Sequence, residues 1–191
     1  KEAPDAVVSR IARYGVGILS RVVERPRMAL RRVRRMTSLG AAQQLDSQCL
    51  RWLMRRPGIT VRQKAGARQE VLAVVRQESR DLLENRVLKR TLEFCLSYGT
   101  RYLQEYGEKF KNSERIGKVR RLRARAHAAL RGETLKEVPR LNGNPVPNYV
   151  LRYDGLYSRV WEMYAAFARQ TVLMEAAWRE RADLLREHVL F

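Results

Sequence analysis

Few residues of this chain are of a type and spacing that could bind a metal or move a proton. The only histidines, His127 and His188, fall on different predicted helices. Neither has a Cys, His or carboxylate at a metal-ligand spacing, and His127, set among arginines, reads as a contact residue. Cys49 and Cys95 are neither paired nor clustered, which fits ordinary buried thiols in a reducing, cytoplasmic setting. Asn112-Ser-Glu-Arg-Ile-Gly117-Lys118-Val119 echoes a phosphate loop. It lacks the first Gly and the hydroxyl residue after Lys118, and it opens a helix with no strand before it. A metal-dependent nuclease that orients water with an acid-X-Lys element on a strand is not supported either, because the chain contains no Asp-X-Lys or Glu-X-Lys triplet. No catalytic residue, metal ligand or cofactor is therefore assigned, and the chain is not expected to be an enzyme by itself.

The chemistry that remains is that of arginine. Net charge is +19 over 191 residues, from 39 basic and 20 acidic side chains, and 32 of the bases are Arg. Arg presents a planar fork that grips phosphate or carboxylate bidentately and stacks on bases, whereas Lys is a point charge. A GC-rich genome would also favour Arg over Lys, but it does not account for the size of the net charge. An excess this large repels itself and calls for a polyanionic partner.

The excess is uneven. Residues 1–65 hold 15 bases and 4 acids, while 154–191 hold five bases and six acids. Between Arg21 and Arg35 seven arginines (Arg21, Arg25, Arg27, Arg31, Arg32, Arg34, Arg35) meet Glu24 alone. From Arg115 to Arg131 there are seven bases and no acid. Arg27, Arg31, Arg34 and Arg35, with Arg120, Arg121, Arg123 and Arg125, are thus the candidate phosphate contacts. Nucleic acid, DNA before RNA, is the expected partner, held by its backbone without base specificity, since no sequence-reading module is visible. An acidic protein is the second candidate. A membrane surface is disfavoured, because the apolar lines of the basic helices are modest and no apolar run approaches the ~18 residues of a membrane span.

The elements that would position these residues are mostly helical. Apolar residues make up 45% of the chain, enough for a real core. Residues 5–23 predict a helix on Val8, Ile11, Ala12, Gly15, Ile18, Leu19 and Val22. Pro26 can open a second, running to about Leu39, with Leu30, Val33 and Met36 on its inner line. Asp46 caps a third, which Pro57-Gly58 ends. Residues 59–80 admit either a two-stranded ribbon (Ile59–Val61 with Val71–Val75) or a helix over 68–78, and Gln, Glu, Ala and Leu tilt the choice to helix.

From Asp81 the signal sharpens. Asp81 and Glu84 have capping-box spacing, and Leu88, Leu92, Cys95, Gly99, Tyr102 and Tyr106 repeat in steps of four and three. Asn85 falls on that line, so its amide is expected to be buried and hydrogen-bonded, whereas Arg86 points off it. Asn112-Ser113 caps a helix over 114–131, with Ile116, Val119, Leu122 and Ala126 inward. Asn142–Pro147 is a loop. After an Asp154 cap, Tyr157, Val160, Tyr164, Phe167, Thr171, Met174 and Trp178 line a long last helix, with Trp161, Ala165, Ala168 and Val172 beside them. The expected fold is mainly α, an irregular multi-helix bundle with a long C-terminal helix and room for one short β-ribbon near residues 59–76. The expected division is a basic helical segment, 1–58, and a helical domain, 59–191, with one continuous domain as the alternative. The chain opens on Lys1 rather than Met, so a preceding segment is expected.

Two stretches carry a resemblance. Arg76-Gln-Glu-Ser-Arg-Asp-Leu-Leu-Glu-Asn-Arg-Val-Leu-Lys89 resembles the Asp-Thr-X-Glu-Asn-Arg signature of a helical domain in McrC-like restriction and phage-defence proteins, with Leu82 in place of the usual Thr. Val146-Pro-Asn-Tyr-Val-Leu-Arg-Tyr-Asp-Gly-Leu-Tyr-Ser-Arg-Val-Trp161 is similar to a Pro-X-X-Val-Leu…Tyr pattern further along in that family. The resemblance implies a restriction or defence component. Catalysis would then lie in another domain or subunit, with a nuclease domain or a motor ATPase as its companion. Apart from the resemblance, the heptad pattern of the 155–191 helix marks it as the expected contact with a protein partner or an additional domain. Asp81, Glu84, Asn85 and Arg86 are read as a structural motif.

Overall fold

The computed structural model describes residues 2–189, with side chains through Met174. Its elements are α1 (Val7–Ala12), α2 (Gly15–Glu24), β1 (Ala29–Ser38), α3 (Ser47–Met54), α4 (Val61–Ala65), β2 (Glu70–Ser79), α5 (Leu83–Tyr106), α6 (Glu114–Arg131), α7 (Tyr149–Tyr153) and α8 (Tyr157–Val189). The fold is mainly α with one two-stranded antiparallel sheet. The chain divides into a helical unit, Lys1–Arg27 with Arg80–Phe191, and an inserted unit, Met28–Ser79. That division does not follow residue 58. Pro57-Gly58 is a turn inside the inserted unit, whose ends are joined because β1 and β2 pair across about forty residues of sequence.

The helical unit is built on α5, which packs against α6 and α8. Val87, Leu88, Leu92, Phe94, Cys95 and Tyr102 of α5 are buried. They meet Ile116, Val119, Leu122 and Ala126 of α6 and Val160, Met163, Tyr164 and Phe167 of α8 in one core. Burying each large side chain of this set contributes roughly 1.5–3 kcal/mol. Gly99 lets α6 come close: a Cβ there would sit 3.3 Å from Arg123 Cβ. Aromatic packing joins α5 to α8, with Tyr98 stacked on Phe167 at 5.3 Å and the Tyr98 hydroxyl 2.8 Å from Thr171 Oγ1. Asp154 caps α8 by accepting from the amides of Leu156 and Tyr157. Val172, expected beside the inner line of α8, is 64% exposed, and the side chains of Trp178 and His188 lie outside the described residues.

Three expectations are corrected. Residues 5–23 form two helices, broken at Arg13-Tyr14, where Gly15 lies close to Ile11 and Met163. The helix expected to follow Pro26 is strand β1. As a helix, its arginines would stack like charges at i,i+4. As a strand, it sends them to alternate faces beside a Val-rich partner. The tilt toward a helix over 68–78 is overturned by β2, which pairs Val33 with Val75 and Thr37 with Val71. Ile59–Val61 is not a strand. Thr60 instead caps α4 by a reciprocal pair, its Oγ1 accepting from the Gln63 amide and Gln63 Oε1 accepting from the Thr60 amide.

Candidate nucleic-acid interface

The inserted unit carries eleven bases and three acids in 52 residues. Its small core is Cys49 of α3 with Val71, Ala73 and Val74 of β2 and Ala65 of α4. Little else is buried, because ten-residue strands and two short helices enclose little volume. Most of the unit's side chains therefore lie at its surface, ten arginines among them. On β1, Arg31 and Arg35 share one face while Arg32 and Arg34 share the other. Arg32 stands directly across from Arg76, a like-charge pair that costs stability unless an anion joins it.

Within the unit, Asp46 is the carboxylate that engages Arg34. Asp46 accepts from Arg34 at 2.7 Å and from the amides of Gln48 and Cys49, capping α3. The Arg34 contact, aided by the Cys49 amide, holds the Asp46 carboxyl well below the usual carboxylate range. Apart from Arg31 and Arg34, the other nine bases of the unit have no carboxylate within ion-pair distance among the described residues. Eight large hydrophobics are also exposed here, Ile59 at 94% and Met54 at 74% among them.

In the helical unit the second basic run lies along α6. Its inward line is Ile116, Val119, Leu122, Ala126 and Ala129. Three of its bases are tied: Arg115 to Glu2 and the Ala3 carbonyl, Lys118 to Glu114, and Arg125 to Glu24 at 3.1 Å. Arg120, Arg121 and Arg123 are exposed with no carboxylate partner among the described residues.

Where the chain leaves the helical unit at Arg27 and returns at Arg80, one buried side chain holds both points. Asn85, fully buried on α5, donates through Nδ2 to the carbonyls of Arg27 and Arg80, each at 2.8 Å. Its Oδ1 accepts from the Tyr157 hydroxyl at 2.7 Å, and that hydroxyl accepts from the Arg27 amide at 2.9 Å. Burial pushes the Tyr157 hydroxyl up to about 12, against the contrary pull of the Arg27 amide. Beside it, Glu84 is buried, accepts from Asn148 at 3.0 Å and lies 3.5 Å from Arg27 Nε. The cluster is a clamp on the two crossings. Among the described residues, no group of three or more His, Cys, Asp or Glu side chains that could hold a metal ion is found there.

A family model described as a domain of unknown function (DUF2357) matches residues 16–164. The chain belongs to that family. Neither a curated protein nor a solved structure matches it. The DUF2357 stretch runs from α2 into α8 and contains the whole inserted unit, the clamp and α6. Among the described residues, no helix is long and apolar enough to cross a membrane.

The structure distributes the candidate residues of this DUF2357 domain among different roles. Arg31, Arg34 and Arg35 lie on β1, with Arg34 committed to Asp46. Arg27 belongs to the clamp. Arg120, Arg121 and Arg123 form an open basic face on α6, from which Arg125 is withdrawn by Glu24. Asp81 and Glu84 do not form a capping box: the cap position is Leu82, without a side-chain bond. Asp81 instead accepts from Arg86 at 2.6 Å. Sequence reasoning missed Arg51, Trp52, Arg55, Arg56 and Arg76, though the i,i+4 step from Arg51 to Arg55 was there to be read. It also missed Tyr157 as Asn85's partner.

Proposed function

We propose that this DUF2357 chain binds the phosphate backbone of nucleic acid, DNA before RNA, without base specificity. The observation that carries the reading is the inserted unit's nine bases without a carboxylate partner among the described residues, in contrast to the helical unit, which pairs many of its own. Unpaired guanidinium groups on a small, well-exposed scaffold suit phosphates spaced about 1.7 Å apart along a duplex axis. Arg120, Arg121 and Arg123 on α6 offer a second patch of the same character. The likeness of residues 76–89 and 146–161 to McrC-like proteins supports a setting in bacterial restriction or phage defence, with cleavage performed by another domain or subunit. Titrating labelled duplex at several salt concentrations tests it, and no binding at low salt would remove the reading.

A second reading has its own support. The exposed Met54, Ile59 and Met28 of the inserted unit, with Tyr149 and Tyr153 of the helical unit, favour an adaptor that docks an acidic protein such as a motor ATPase or nuclease subunit. Reversing Arg120, Arg121, Arg123 and Arg125 to Glu separates the two. The adaptor loses its protein complex with nucleic-acid affinity unchanged.

A further inference from the structure

Within the inserted unit, one face of α3 and strand β2 form a cleft of about 530 Å³, lined by Gln48, Arg51, Trp52, Arg55, Arg56 and Leu72. Gln48, Arg51 and Trp52 fall on one side of α3, and Arg55 and Arg56 follow directly at its C-terminal end. We propose that this cleft is a subsite for single-stranded nucleic acid: it takes one unstacked nucleotide, with the base on the Trp52–Leu72 floor and the flanking phosphates on Arg51, Arg55 and Arg56.

Four observations carry it. The size lies in the range of small-ligand sites, about 300–1,000 Å³. The floor is apolar, Trp52 and Leu72 being half-buried. The rim is cationic and carries no carboxylate, and the unit's Asp46 is already engaged by Arg34 and the helix cap. The groups are also partly set in place: the Arg56 guanidinium lies 4.6 Å over the Trp52 ring, and Arg51 Nε donates to the Ser47 carbonyl at 3.3 Å. A flat indole bearing a stacked cation, ringed by further guanidinium groups, is a surface on which any base can stack while its phosphates are held. In a duplex the base faces are already occupied by their neighbours. A duplex can therefore reach the rim but not the floor, and that difference selects single strands.

The inference rests on the nucleic-acid reading, and its test separates the two. In the full chain, Trp161→Phe and Trp178→Phe leave Trp52 as the sole indole. A short labelled oligothymidylate and a duplex of equal length are then titrated at low salt, following both label anisotropy and Trp52 emission. Saturable quenching by the single strand and none by the duplex is expected. Arg51→Glu/Arg55→Glu, at two exposed positions and with folding checked by circular dichroism, should abolish the quench and weaken single-strand binding by about tenfold or more. Trp52→Ala should weaken it comparably. Binding without quenching, or binding indifferent to Arg51→Glu/Arg55→Glu, would overturn the subsite and leave the nucleic-acid reading standing. No binding of either oligonucleotide, or a response to poly-glutamate alone, would overturn both.

Discussion

Asn85 and Tyr157, 72 residues apart, share a buried 2.7 Å hydrogen bond in which the tyrosine hydroxyl donates to the amide oxygen. Both amide hydrogens of Asn85 go to the carbonyls of Arg27 and Arg80, so one side chain holds the last residue before the inserted unit and the first one after it. Removing either partner leaves buried polar groups unpaired, at about 1–3 kcal/mol each. Asn85→Leu is expected to lower unfolding free energy by roughly 3 kcal/mol or more, since three partners lose their bond at once. Tyr157→Phe should cost about 1–3 kcal/mol. Urea denaturation of both single variants and the double should show clear coupling, and additivity would contradict the clamp.

Alkaline pH acts on the same core. Burial pushes the Cys95 thiol from 9.0 up to about 12 and the Tyr157 hydroxyl from 10.0 up to about 12. Each group holds its proton more tightly folded than unfolded, so its contribution is intact below the unfolded value and falls as pH rises toward 12. Stability should begin to decline near pH 9. Cys95→Ala should flatten the decline, whatever it does to stability at neutral pH, and an unchanged slope would sink this assignment.

The Arg32–Arg76 pair sets affinity against stability. Arg76→Glu replaces facing like charges with an opposite pair, expected to raise the stability of the free protein by roughly 0.2–1 kcal/mol. The same change should weaken binding to duplex. Calorimetric melting and anisotropy on one preparation check both halves, and a variant that binds as tightly as the wild type would argue that the ribbon takes no part.

Arg34 and Asp46 predict a division of labour among neighbouring arginines. Because Arg34 is held by the carboxylate that caps α3, Arg34→Gln should weaken binding less than Arg35→Gln. Asp46→Ala should instead fray α3, seen as faster hydrogen exchange at the Gln48, Cys49 and Leu50 amides. Equal losses of affinity from Arg34→Gln and Arg35→Gln would refute this division.

How far the chain can be read without coordinates depended on where each residue's partners lie. Periodicity marked α5 and α6 because their buried faces come from local spacing: Leu88, Leu92 and Cys95, or Ile116, Val119 and Leu122, are buried wherever the rest of the chain goes. The ribbon was hidden because Leu30, Val33 and Met36 happen to fall at helical spacing, while the residues that make β1 a strand lie some forty positions on, in β2. The clamp was half legible. Asn85's burial follows from its place on α5, but the bonds it makes go to main-chain carbonyls and to a tyrosine that no local pattern connects to it. The α3 cleft was legible only in its Arg51–Arg55 step: Leu72, which completes its floor, comes from β2, and no local pattern connects it to α3.

Arginines of the inserted unit that grip phosphate should show it most directly in the salt dependence of duplex binding by the wild type and by Arg32→Gln/Arg35→Gln/Arg76→Gln. For the wild type, log affinity should fall steeply and linearly with log salt. Each lost phosphate contact should lower the slope by about 0.9, so the triple variant should be shallower by about 2 to 3. No binding at low salt, or the same slope in both proteins, would contradict the account.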